Sequence, residues 1–145
     1  MREIFPSVYL TGEIKRRCIF ETGDNGLYAD ALGTWEDALA DDQTLVIRSQ
    51  KGLVLVFGCC HAGIINTIEQ AQELIGEQRI HAVIGGTHLG FCGESQLKET
   101  VDALRVIDIA KIYGCHCTGF GASARLSRDL PGRFMPAMVG TAIEI

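Results

Sequence analysis

Val54-Leu55-Val56-Phe57-Gly58-Cys59-Cys60-His61-Ala62-Gly63 reads as an apolar strand, a glycine where the chain turns, a histidine and a second glycine. The same design recurs in His81-Ala82-Val83-Ile84-Gly85-Gly86-Thr87-His88-Leu89-Gly90 and in Ala110-Lys111-Ile112-Tyr113-Gly114-Cys115-His116-Cys117-Thr118-Gly119. Successive histidines lie about 27 to 28 residues apart, roughly one strand-helix unit. Open α/β sheets bind ligands beyond the carboxyl ends of their strands. Histidines leaving three neighbouring strand ends can therefore converge on one point.

Working outward, apolar residues at Ile64, Ile65, Ile68, Ala71, Leu74 and Ile75 predict one face of an amphipathic helix over 62–75, closed by Gly76. Thr44 to Arg48 and Leu53 to Phe57 read as a β-hairpin around Ser49-Gln50-Lys51-Gly52. Ile80 to Ile84 and Ile109 to Tyr113 read as further strands. Between them Ser95 is placed to cap a helix whose inner face is Leu97, Val101, Leu104 and Ile107. A short helix is predicted over 122–130 and a final strand over 138–145. Before Thr44, Val8-Tyr9-Leu10 and Cys18-Ile19-Phe20 are short extended candidates, and 22–42 reads as a long acidic loop. The chain is thus read as a single domain, 1–145, with an irregular segment over 1–43 and a regular βα core over 44–145. Strands alternating with helices give an α/β fold, a mixed sheet with crossover helices.

Imidazole is the commonest protein metal ligand, and three histidines with an open position make a catalytic zinc arrangement. His61, His88 and His116 are accordingly the candidate metal ligands, for zinc, iron or manganese. His81 lies inside a strand and reads as a surface or core residue. The glycines let the backbone turn and approach a ligand, and helix N-termini aim free amides at an anion such as phosphate. Gly63, Thr87, Thr118 and Gly119 are the candidate contacts to a small anionic ligand. Cys60 and Cys115 are candidate thiol ligands, within a wider set that includes Cys59 and Cys117. The C-C and C-x-C spacings are not those of structural zinc sites, so buried inert thiols remain the alternative. The glycine turns do not form a dinucleotide-binding G-x-G-x-x-G.

Composition bounds the remainder. Hydrophobic residues make up 47% and charged residues 21%, which excludes a disordered chain and leaves room for an apolar face that a partner covers. A net charge of −5 offers no electrostatic footprint for nucleic acid, and Lys15-Arg16-Arg17, flanked by Glu13 and Glu21, reads as a solvated loop. No apolar run is long enough for a membrane span, and none follows Arg2-Glu3 as in a signal peptide. The cytoplasm is the default compartment. Cys59 and Cys60 are adjacent and Cys115 and Cys117 flank a histidine, so reduced thiols fit better than disulfides.

These blocks resemble one branch of the metallo-β-lactamase superfamily, the dihydropterin ribofuranosylaminobenzene phosphate synthase-like proteins. Gly58-Cys59-Cys60-His61-Ala62-Gly63-Ile64-Ile65-Asn66-Thr67 is similar to its Gly-Cys-Ser-His-Ala-Gly block, with Cys60 where serine is common. Ile84-Gly85-Gly86-Thr87-His88-Leu89 resembles its Gly-Gly-Phe-His-Leu, with Thr87 in place of the aromatic residue. His116-Cys117-Thr118-Gly119 and Val139-Gly140-Thr141 match later blocks, and the resemblance runs from about Val8 to Ile145. It implies the C-terminal half of an αββα sandwich, with His116 as the late metal ligand, His61 a ligand or near-ligand and His88 a pocket residue. The family's His-x-His-x-Asp-His motif has no counterpart, because none of the four histidines are two residues apart.

Three functions follow as expectations. The chain is a metal-dependent hydrolase or transferase half-domain acting on a phosphorylated, pterin-like small molecule; or a catalytically silent fragment that binds metal or a partner; or a thiol-based redox or metal-handling protein. A half-sandwich would leave an apolar sheet face wet, at about 25 cal/mol per Å². That implies self-association as a homo-oligomer, or pairing with a separately encoded N-terminal half.

Overall fold

A computed structural model describes residues 1–24 and 26–145. Its strands are β1 (Arg2–Phe5), β2 (Val8–Leu10), β3 (Thr44–Ser49), β4 (Gly52–Phe57), β5 (Ile80–Gly86), β6 (Ile109–Cys115) and β7 (Phe134–Pro136). The helices are α1 (Ile64–Ile75), α2 (Glu94–Val106) and α3 (Phe120–Asp129), and His116–Thr118 form a 3₁₀ turn. All seven strands make one sheet in sequence order, with β1 to β4 antiparallel and β4 to β7 parallel.

That order fixes the layers. Right-handed crossovers that step through a sheet in one direction place every connecting helix on the same face. Leu53, Leu55, Phe57, Val83 and Ile112 point to that face and pack with Ile64, Ile68, Val101, Leu104 and Leu126 of the helices. The alternating residues point the other way. Register aligns Leu45, Val56, Ile84 and Tyr113 in one row and Ile47, Val54 and Ala82 in the next. Val54 and Ala82 are buried among their neighbours, whereas Leu45, Ile47, Val56, Ile84 and Tyr113 stay partly exposed. This face is thus mostly apolar and only partly covered, with Lys111 standing beside Ala82 in the second row.

The irregular segment is tied to α1 by buried side chains. Asn66 Oδ1 accepts the amides of Arg17 and Cys18 at 2.7 and 2.8 Å, and Gln70 Oε1 accepts that of Lys15 at 2.9 Å. This overturns the strand expected over Cys18-Ile19-Phe20: those amides are satisfied by a helix, and residues 18–20 form no ladder. Glu21 completes the attachment, accepting the amides of Ile65 and Asn66 at 2.8 Å each. Gly63, at φ 99°, makes room, since a Cβ there would fall 2.2 Å from Glu21 Oε2.

Three further boundaries differ from the sequence reading. Ser95 does not cap α2; the helix starts at Glu94 after Gly93, and Ser95 Oγ turns to Glu99. The short helix starts two residues earlier, at Phe120. The strand expected over 138–145 is absent, and β7 is formed upstream by Phe134–Pro136. Phe134 packs against the bare backbone of Gly114, while Met138 and Thr141 close a turn. The Arg133 guanidinium donates to the carbonyls of Leu104, Arg105, Ile107 and Ile109, closing the end of α2.

Burial pushes the Glu21 carboxyl up to about 7 from 4.5, against the opposing pull of the Asn66 and Ile65 amides. A carboxyl whose pKa is raised on folding stabilises the fold below its unfolded value and loses that contribution as pH rises through the folded one. Wild-type stability should therefore decline relative to a Glu21→Gln variant between about pH 4.5 and 7 and keep a constant offset from it above. Glu21→Ala should cost about 1–3 kcal/mol by orphaning two helix amides. Urea denaturation across that pH range measures both, and two parallel pH profiles would refute the first.

Candidate functional site

The parallel arrangement of β4, β5 and β6 brings their carboxyl ends to one edge, and His61, His88 and His116 follow those ends. His61 and His88 lie together, ring centroids 4.2 Å apart. Both bond to Asp24, His61 Nδ1 to Oδ2 at 2.7 Å and His88 Nε2 to Oδ1 at 2.5 Å. Burial works to raise the Asp24 carboxyl, but the hydrogen bonds and charges of the two imidazoles hold it below its ordinary value. Phe91 stacks on His88 at 4.7 Å. His88 Nδ1 is buried and has no partner among the described residues.

His116 belongs to a neighbouring group. Its Nε2 is 3.1 Å from Cys59 Sγ, and one ligand atom from each of Cys59, His116 and Cys117 lies within 4.8 Å of the others. The same limit holds for Asp24, His61 and His88. The two groups touch where the amide of His88 donates to Cys117 Sγ at 3.2 Å. His81, within β5, is part of neither.

Backbone geometry shows why the strand ends are shaped this way. Cys60 and His88 hold positive φ, 62° and 55°, a conformation costly for residues with a Cβ. Gly86 ends β5 beneath the thiol group, and a Cβ there would meet Cys117 Sγ at 2.5 Å and His116 Nε2 at 2.6 Å. Gly90 and Gly119 pass each other backbone to backbone, which binds the two loops.

Several of the residues singled out by sequence have partners within the chain. The Ile65 and Asn66 amides at the start of α1 are occupied by Glu21, whose carboxylate lies against Gly63. Thr87 and Thr118 are buried and bonded to each other at 3.0 Å, joining two strand-end turns. Cys60 is buried with its Sγ against Thr67 Oγ1, and burial pushes its thiol well up. Cys115 Sγ lies 3.4 Å from His116 Nδ1, outside the Cys59, His116 and Cys117 group. Burial raises the Cys18, Cys92 and Cys115 thiols, and pushes Cys117 up to about 11 against the His88 amide. Reactive redox cysteines carry depressed values, so these four thiols and Cys60 give the redox reading no support.

Asp24 is not singled out by the sequence, where it follows Gly23 in an acidic loop. Its signal is chemical only: a carboxylate beside a glycine can approach imidazoles closely.

A solved structure described as a metal-dependent hydrolase of the beta-lactamase superfamily superposes on 99% of this chain with a TM-score of 0.89 and 30% identity. The fold is metallo-β-lactamase-like. The chain covers 56% of that structure. It is also 31% identical over 145 residues to a Methanocaldococcus jannaschii 7,8-dihydropterin-6-methyl-4-(beta-D-ribofuranosyl)-aminobenzene-5'-phosphate synthase, covering 97% of this chain and 49% of that protein. An uncharacterized protein of the same organism is 36% identical over 143 residues, 99% of this chain and 52% of its own length. This metallo-β-lactamase-like chain thus spans about half the length of the curated relatives it matches. No family model matches it.

Gly86→Ala should destabilise by about 1–3 kcal/mol through overpacking against Cys117 and His116. Gly58→Ala, which meets nothing within 4 Å, should be nearly neutral in the same denaturation assay. Equal effects would contradict the close approach described at Gly86.

Proposed function

We propose that the chain is the second half of a metal-dependent hydrolase or transferase, active on a small anionic substrate once a first half completes the sandwich. The observation that carries this reading is the pair of imidazoles held by one carboxylate at the ends of β4 and β5.

The donor set suits a divalent cation, zinc foremost. Histidines that bind metal through one ring nitrogen commonly give the other to a carboxylate. Asp24 takes Nδ1 of His61 and Nε2 of His88, which leaves His61 Nε2 and the unpartnered His88 Nδ1 as donors. Iron and manganese accept imidazole and carboxylate as well. A bound ion would supply Lewis acidity and a water of lowered pKa. The chain's own share is orientation: Asp24 fixes the imidazoles, Phe91 shields one ring, and the Thr87–Thr118 bond keeps the two turns in register. The synthase similarity favours a phosphorylated pterin-type substrate, by analogy alone.

The exposed rows Leu45-Val56-Ile84-Tyr113 and Ile47 offer the surface for the missing layer, either a second copy or a separately encoded first half. Light scattering should find the isolated chain associated, or binding a hydrophobic dye as a monomer; a monodisperse monomer that binds no dye would refute this.

Metal content of untagged protein tests the centre. Wild type and His81→Ala should retain zinc, iron or manganese after dialysis, and Asp24→Ala, His61→Ala and His88→Ala should lower affinity about 10–100-fold. Equal, low metal in all five proteins would reject the reading.

A further inference from the structure

We propose that Asp42 is a positioning residue of the histidine centre, fixing the backbone that carries His61 while Asp24 fixes its ring. The inference deepens the metal-centre reading and rests on it only for the affinity measured below.

The chain around His61 turns sharply. The Cys60 carbonyl accepts the Gly63 amide at 3.1 Å, closing a four-residue turn with His61 and Ala62 at its centre. Cys60 enters that turn at φ 62°, in the left-handed region that a residue with a Cβ occupies at a cost. Strained backbone of this kind persists where neighbouring contacts over-determine it. Here the contact comes from outside the turn: the Ala62 amide, one residue past the histidine, donates to Asp42 Oδ2 at 2.8 Å.

Sheet register explains why Asp42 is at hand. Thr44 opens β3 opposite Phe57, the last residue of β4, in an antiparallel pair. The residues just before β3 therefore run beside those just after β4. Thr11 clamps this corner, its amide donating to the Thr44 carbonyl at 3.0 Å and its hydroxyl oxygen accepting the Thr44 amide at 2.9 Å. Both threonines are buried. Upstream, the Asp42 amide donates to the carbonyl of Leu39, which itself holds φ 51°. One carboxylate–amide bond thus joins two turns that each contain a strained residue.

Three acids divide the junction between β4 and α1. Glu21 takes the amides of Ile65 and Asn66, Asp24 takes the His61 ring at Nδ1, and Asp42 takes the backbone beside it. A ring bonded through one nitrogen still swings about that contact when its own Cα moves. Pinning the next amide removes this freedom, so His61 Nε2 is presented at one place. Supporting contacts of this kind hold binding side chains in their productive geometry. Among the described residues the Asp42 carboxylate bonds to no imidazole, which separates its role from that of Asp24.

Two measurements test this, the first without metal. Ionised Asp24 accepts N–H from His61 Nδ1 and His88 Nε2 in the apo protein, and each bonded ring proton should give a low-field, slowly exchanging NMR signal. Asp42→Ala should lose the His61 signal and keep that of His88. Asp42→Asn, which retains an acceptor oxygen, should keep both. Asp42→Glu, which retains the charge and displaces the acceptor, should match Asp42→Ala, and the Asn and Glu variants decide the matter where the Ala variant does not fold. In zinc competition titrations the Ala and Glu variants should bind at least about tenfold more weakly, and the Asn variant within about threefold of wild type. Ser49→Ala, at the far end of the β3–β4 hairpin, should lower stability to urea and move neither readout. Retention of the His61 signal or of wild-type zinc affinity in Asp42→Ala overturns the proposal. So does absence of the His61 signal from wild type, loss of both ring signals together, or equal losses in the Asn and Ala variants. A His61 signal that follows Asp42 in a protein that binds no zinc leaves the positioning role standing and removes the metal reading.

Discussion

Parallel pairing of β4, β5 and β6 is the constraint on which the site depends. Parallel strands all finish at the same edge, so any residue placed just after a strand is delivered to one small region. What reaches that region is decided by the middle strand. Had β5 ended in side chains, the loops after β4 and β6 would stand apart. Gly85 and Gly86 instead expose backbone, with a Cβ at Gly85 falling 2.4 Å from the Phe57 carbonyl oxygen. The glycines act first as spacing elements and only then as turns.

A second layer of control comes from a segment with little regular structure. Residues 13–24 lie along α1, bonded to Asn66 and Gln70 and to the helix amides through Glu21. Charge placement follows from that attachment. Glu21 of the segment is buried at a helix start, and Asp24, three residues on, is held between two imidazoles. Burial opposes ionisation at both: at the deeply buried Glu21 it outweighs two amides and leaves the carboxyl high, and at the less buried Asp24 two imidazoles outweigh it and bring the carboxyl low.

The regular half of the fold was legible in the sequence because its signals are periodic. The apolar face of α1, the Gly76 stop and the three strand-glycine-histidine repeats all read directly into the observed elements. The misreadings share another cause. Cys18-Ile19-Phe20 and Val139, Ile143 and Ile145 have β propensity, but a strand needs a partner edge, and α1 or open solvent stands there instead. Asp24 and Glu21 carry no local pattern, since contacts 37 to 64 residues away in sequence define their positions. The arrangement of the thiols is hidden for a related reason. Spacing does not show that Cys59-Cys60 and Cys115-x-Cys117 each split, one member of each meeting across β5.

The identity of strand order and chain order has a bearing on how this architecture is reached. Each strand pairs with the one just before it, so the sheet can grow by accretion as the polypeptide emerges, without waiting for a distant edge. The last helix-end carbonyls of α2 are closed only when Arg133 arrives. Closure of that corner therefore waits on a residue beyond α3, after the strand ends that carry the three histidines have already been laid down.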